Sequence, residues 1–114
     1  MIEPRFTSDF QISALKRLTE SGGDFAMILH KGDPTSGAIL IIGQIRGKDP
    51  VLFDRYPSHD GTSAWRPVTL RSEELKAEIA TYWQKRVSHD PDLWVLELDV
   101  ASSERLNGLL IASA

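Results

Sequence analysis

Residues able to do chemistry gather at three places in this sequence, each a histidine close to an aspartate. The stretch SHDPDLWVLELD, Ser88 to Asp99, carries His89, Asp90 and Asp92 ahead of a dense apolar run. HKGDPTSG sets His30 shortly before Asp33, and PSHDGTSA carries His59 and Asp60. An imidazole and carboxylates are donors that a divalent cation accepts, and an imidazole is also the commonest general base. Arg66 has the forked guanidinium suited to clamping an anionic group beside such a base. A small hydrolase or transferase acting on an anionic substrate would use His30 or His89 as base and Arg66 as clamp.

Spacing does not single out any of these clusters. There is no H-E-x-x-H pair and no G-x-S-x-G elbow. A phosphate loop leads into a helix, whereas HKGDPTSG leads into an apolar strand pattern, and its Pro34 lacks a donor. GGDF, Gly22 to Phe25, matches part of the signature of diguanylate cyclases, but here the glycines close a helix. The chain has no cysteine, which removes disulfides, thiolate metal sites and cysteine nucleophiles. The expectation is therefore no cofactor, no metal and no assigned catalytic residue. A binding role falls first on His89, Asp90, Asp92 and Arg66.

The Ser88–Asp99 stretch also has a mechanical reading. His89 lies at the negative end of a helix, where a protonated imidazole is favoured. Asp90-Pro91 halts that helix, because the residue before a proline is pushed out of the α region. Asp92 can bond nearby backbone N–H groups and hold the turn. Trp94, Leu96 and Leu98 then share one strand face, Leu93 and Val95 the other, and Glu97 should reach solvent or a partner.

The elements that position these residues follow from periodicity. TSDFQISALKRLTESGG is a helix with Ser8 as its cap and Phe10, Ala14 and Leu18 on one stripe, Leu15 beside them. DFAMILHK, AILIIGQIR, VLFDRY and WRPVTL read as four strands; the second is apolar on both faces and belongs in the middle of a sheet. RSEELKAEIATYWQKRVSH is a second helix capped by Ser72, and LWVLEL a fifth strand that returns after a helical crossover and so can lie parallel to a neighbour. The order predicts an α+β fold: a single, mostly antiparallel sheet of about five strands with two main helices on one face. Residues 1–100 form this one domain, and residues 101–114 a short C-terminal helix or tail that packs on its own domain or on a second copy.

A net charge of −3 supplies no basic footprint, so no nucleic acid is expected as a partner. Arg55 and Arg66 with Trp65 and Tyr56 could form a cation–aromatic cluster, which is also how an ordinary sheet face looks. The N-terminus MIEPRFTSDF is charged, and the longest apolar run, AILII, is far shorter than the ~20 residues of a membrane helix. These features predict a cytoplasmic protein without membrane attachment. The leading function is a non-catalytic binding or adaptor module with an unknown protein partner, or a homodimer through an edge strand.

The segments DPDLWVLELD and HKGDPTSGAILI carry a resemblance. Together with the chain length, they resemble the alphaproteobacterial domain-of-unknown-function family 1491, over about Phe10 to Asp99. The resemblance implies a small one-domain bacterial protein. It implies no activity, cofactor or site residue, and the segment past Val100 lies outside it.

Overall fold

Strands apolar on both faces are stable only where both faces are covered. The two such runs here, Ile39–Ile45 and Trp94–Val100, lie side by side in the middle of the sheet. The computed structural model describes residues 6–57, 63–70 and 75–114. In chain order the elements are α1 (Ser8–Ser21), β1 (Phe25–His30), β2 (Ile39–Ile45), β3 (Lys48–Pro57), β4 (Ser63–Pro67), α2 (Leu75–His89), β5 (Trp94–Val100) and α3 (Ser103–Ala112). The sheet order is β1-β5-β2-β3-β4. The β2–β5 pair is parallel, with Ile39 opposite Trp94 and Ile45 opposite Val100, and the other three pairs are antiparallel. The fold is thus α+β with the predicted order, and the fifth strand has the expected parallel neighbour. Among the described residues no helix is long and apolar enough to cross a membrane.

The helices do not share one face, which corrects the expected layering. Ile12 and Leu15 of α1 and Leu106, Leu109 and Leu110 of α3 pack on Ile39, Ile41, Trp94, Leu96 and Leu98. Ile79, Tyr82, Trp83 and Val87 of α2 pack on Leu40, Ile42, Leu52, Leu93 and Val95, which point the other way. The alternation along β2 and β5 requires this: helices on one side only would leave Leu40, Ile42 and Val95 in water. The three-layer arrangement also places the tryptophans at helix–sheet contacts, with Trp94 and Trp65 on one side and Trp83 on the other. On β5 the α2 side turns polar after Val95: Glu97 and Asp99 are only half-buried.

The start of α1 differs in detail from its prediction. Thr7 is the cap, its hydroxyl accepting the Phe10 N–H at 3.2 Å. Ser8 is buried and donates instead to the Gly37 carbonyl at 2.6 Å. The stripe facing the sheet is Ile12, Leu15 and Thr19, while Phe10, Ala14 and Leu18 are exposed. The Ser72 cap predicted for α2 lies outside the described residues. The C-terminal segment forms α3, and it packs so closely that a Cβ on Gly43 of β2 would meet Leu106 at 2.9 Å.

Candidate functional site

Among the described residues, His30, Asp33, Asp90 and Asp92 meet at one end of the molecule, where the β1–β2 loop meets the α2–β5 turn. There they are occupied by backbone. Asp33 donates its N–H to the Asp92 carbonyl at 3.0 Å, and its own carbonyl accepts the Trp94 indole N–H at 2.7 Å. His30 Nδ1 donates to the Leu93 carbonyl at 2.7 Å, and the Trp94 N–H reaches the Ala38 carbonyl at 2.8 Å. The first turn of α1 docks on the same loop, with the Ser8 and Asp9 N–H groups on the carbonyls of Thr35 and Pro34. Gly32 and Gly37 both pass the Asp92 carbonyl so closely that a Cβ at either position would run into that oxygen. Three chain segments distant in sequence are thereby locked together.

Two of the carboxylates in this junction, those of Asp33 and Asp90, have local tasks. The Asp33 carboxylate accepts the N–H groups of Ser36 at 2.8 Å and Thr35 at 3.1 Å. The Ser36 N–H above all, against some desolvation and with help from Thr35 and the Ser36 hydroxyl, holds the Asp33 carboxyl below its ordinary range. Asp90, not Asp92, holds the turn into β5: its carboxylate accepts the Asp92 N–H at 3.2 Å, and its carbonyl the Leu93 N–H at 3.1 Å. The part expected of the Asp92 side chain is taken by the Asp92 backbone. His89 folds back on its helix, its Nδ1 donating to the Lys85 carbonyl at 2.9 Å. Among the described residues no three His, Asp or Glu side chains are grouped to hold a metal ion. His59 and Asp60 lie outside the described residues.

Arg66 is far from His30. It stands on β4 opposite Asp54 of β3, while His30 stands opposite Val95 of β5 on the other edge strand. Four inter-strand gaps of ~4.8 Å put His30 and Arg66 about 19 Å apart. His30 and Arg66 therefore do not meet on one small anion. Arg66 and Arg55 also alternate to opposite faces. Arg55 lies over the Trp65 ring at 4.7 Å on the α1–α3 side, whereas Asp54, across from Arg66, pairs with Arg86 of α2 at 2.7 Å. Burial alone would lower the Arg86 pKa, but the bonded Asp54 carboxylate raises it above its usual value. The expected arginine–aromatic platform is thus split between two faces.

The second feature carries almost no chemically reactive groups. Between α1 and α3 lies a cleft of about 260 Å³, bordered by Phe6, Phe10, Leu18, Arg55 and Ser113. Phe6 and Phe10 stack with centroids 4.8 Å apart, yet they remain 69% and 54% exposed. Inside the cleft, Ser113 ties α3 to the sheet: its hydroxyl accepts the Trp65 indole N–H at 3.1 Å, and its carbonyl accepts from Arg55 at 3.4 Å. At the far end of α1, Arg105 of α3 binds Asp24 at 2.8 Å and donates to the Leu18 carbonyl at 2.9 Å. That guanidinium completes the helix end that GGDF begins, so GGDF is a helix stop. Phe10, Ala14 and Leu18 share the stripe that the periodicity predicts, and their exposure makes them the cleft wall.

Comparison with known proteins agrees with this architecture. A family profile described as protein of unknown function, DUF1491, matches residues 6–107. The match continues past Val100 into α3, so the C-terminal helix is not peculiar to this chain. The crystal structure of a DUF1491 family protein from Caulobacter crescentus superposes with a TM-score of 0.77 at 29% identity, covering 86% of this chain and 91% of that one. An NMR structure of a DUF1491 family protein from the same organism gives 0.71 at 31% identity, covering 86% and 88%. A solution structure of a protein from A. tumefaciens gives 0.69 at 26% identity, covering 94% and 93%. No curated protein matches the chain.

Proposed function

The chain belongs to the DUF1491 family of proteins of unknown function, and from that premise we propose that it is a non-catalytic binding module of the cytoplasm whose contact surface is the α1–α3 cleft. The observation that carries this reading is the stacked Phe6–Phe10 pair, two large aromatic side chains left mostly in water beside a preformed cleft. Exposed aromatic groups rimming a concavity are what a partner's anchoring side chain buries. At about 260 Å³ the cleft is smaller than the ~300–1,000 Å³ of typical small-molecule sites. Its occupant is a single apolar side chain presented by a segment of a partner protein. The histidine–aspartate junction serves this function indirectly, by anchoring the first turn of α1.

A photo-crosslinking amino acid at Ala14, introduced in the native cell, tests the reading. One discrete protein adduct is expected. It should disappear in a Phe10→Ser background whose thermal midpoint matches the wild type. Adducts that ignore Phe10→Ser, or their complete absence, would overturn the proposal.

A further inference from the structure

β1 is an edge strand that carries neither charge nor proline over Phe25–Leu29, and its one register irregularity, between Ile28 and His30, falls at its C-terminal end. Natural edges that refuse a neighbour carry charges, prolines or very short strands. The opposite edge, β4, is five residues long, ends on Pro67 and carries the exposed Arg66. β1 runs Phe25-Ala26-Met27-Ile28-Leu29 without a charge or a proline. Phe25 is 74% and Met27 60% exposed, on the sheet face that α2 leaves uncovered beside Glu97 and Asp99.

We propose that β1 is a self-pairing edge, joining two copies antiparallel about a twofold axis through Met27 into one ten-stranded sheet. The occupant is a second copy because the strand complements itself in one register. Cross-strand partners must share a face, so Phe25, Met27 and Leu29 pair only among themselves. Centring on Met27 sets Met27 against Met27 and Phe25 against Leu29 of the second copy. On the other face it sets Ala26 against the larger Ile28. Both cores then continue across the seam. Leu29 already packs on the α2-side cluster, where Phe25 of the second copy would cover it, and Ala26 packs on the α1–α3 cluster, where the second Ile28 would. A slip by one residue would set apolar side chains of opposite faces against each other. The two Glu97 side chains stay three strand gaps apart, about 14 Å, so their like charges do not oppose the seam. The strand is only ~20 Å long, which makes the dimer weak and concentration-dependent. This surface is separate from the α1–α3 cleft, and its failure would leave the cleft proposal standing.

The absence of cysteine gives a clean experiment. Sedimentation of the full chain from low to high micromolar concentration should move from the mass of one copy toward two. Met27→Lys, at a position already exposed, should keep the thermal midpoint of dilute protein and remain monomeric throughout. Under mild oxidation Met27→Cys should form a covalent dimer, since directly opposed Cβ atoms lie ~4.5–5.5 Å apart. Phe25→Cys should not, because its copies stand four residues out of register. A wild type that stays monomeric at all concentrations would overturn the proposal. So would a dimer that survives Met27→Lys, or crosslinking that is equal at the two positions.

Discussion

Helix α1 borders two opposite kinds of surface. At its N-terminus lies the junction of the β1–β2 loop and the α2–β5 turn, rich in histidine and aspartate, where the hydrogen-bonding groups described above act within the fold. Along its outer stripe lies the α1–α3 cleft, lined mostly by phenylalanine, leucine and alanine with Gln11, Arg55 and Ser113 among them, where large apolar side chains stay in water. Residue type pointed to the first region and geometry to the second. A side chain is available for function only if the fold leaves it unoccupied, and here that separates the reactive residues from the available ones.

The severest test of that contrast removes a wall of the cleft. Deleting residues 101–114 strips Leu106, Leu109 and Leu110 from the core, on the order of 5–9 kcal/mol at ~1.5–3 per side chain. That is most of the ~5–15 kcal/mol a domain possesses. Loss of cooperative unfolding in denaturant is expected; a folded, cooperative fragment would show that the cleft is an addition to a complete domain.

Next comes the centre of the junction. Trp94→Ala should cost about 3–5 kcal/mol, because it empties a buried site and leaves the Asp33 carbonyl without its indole donor. Urea titration measures it. A cost under about 1 kcal/mol would mean the junction is not what holds the three segments together.

Smaller effects separate neighbouring aspartates. Asp90→Ala should lose about 0.5–2 kcal/mol, the scale of a cap or turn bond, while Asp92→Ala should stay within about 0.5 kcal/mol because its backbone makes the contacts. Equal costs, or zinc- or manganese-dependent stabilisation lost in both variants, would return the junction to the functional column.

Acid titration gives a directional version of the same test. Asp33 has a folded pKa below the ordinary 3.8, so its stabilisation is present above that value and is lost as pH falls through the folded pKa. Asp33→Asn keeps a carbonyl acceptor for Ser36 and Thr35 but removes the titration. Its thermal midpoint should fall less than that of the wild type between about pH 5 and pH 2. Parallel curves would mean the carboxylate charge is immaterial to the loop.

The smallest stability effect belongs to the cleft. Phe10→Ser should change unfolding free energy by no more than about 0.5 kcal/mol, the range for exposed positions, while abolishing partner crosslinking. A large loss of stability would place Phe10 among the structural residues and weaken the division between the two regions.

What the sequence made legible was governed by local pattern. β2 and β5 announce themselves as central through apolar residues on both faces, and Asp90-Pro91 marks the end of α2 through backbone sterics. The rotation of α1 was not legible. By composition Phe10–Ala14–Leu18 is as good a core stripe as Ile12–Leu15–Thr19. The choice is made by long-range bonds at both helix ends: Ser8 to Gly37 at one, and Arg105 to Asp24 and Leu18 at the other. Arg105 is 81 residues from Asp24, and no window along the chain contains both. The same limit hid the layering, since residues alternating along β2 show that both faces are covered without showing which helix covers which.

One consequence of the strand order concerns synthesis. β1 and β2 are consecutive in the chain, yet β5 lies between them and pairs with both. On the ribosome β1 and β2 emerge with two apolar strand edges flanking an empty slot, and the segment that fills the slot follows only after β3, β4 and α2. Non-local pairing of this kind makes closure slow, and an unfilled slot between apolar strands can accept a foreign strand. The nascent chain is therefore open to mispairing until Trp94–Val100 is free to enter the slot.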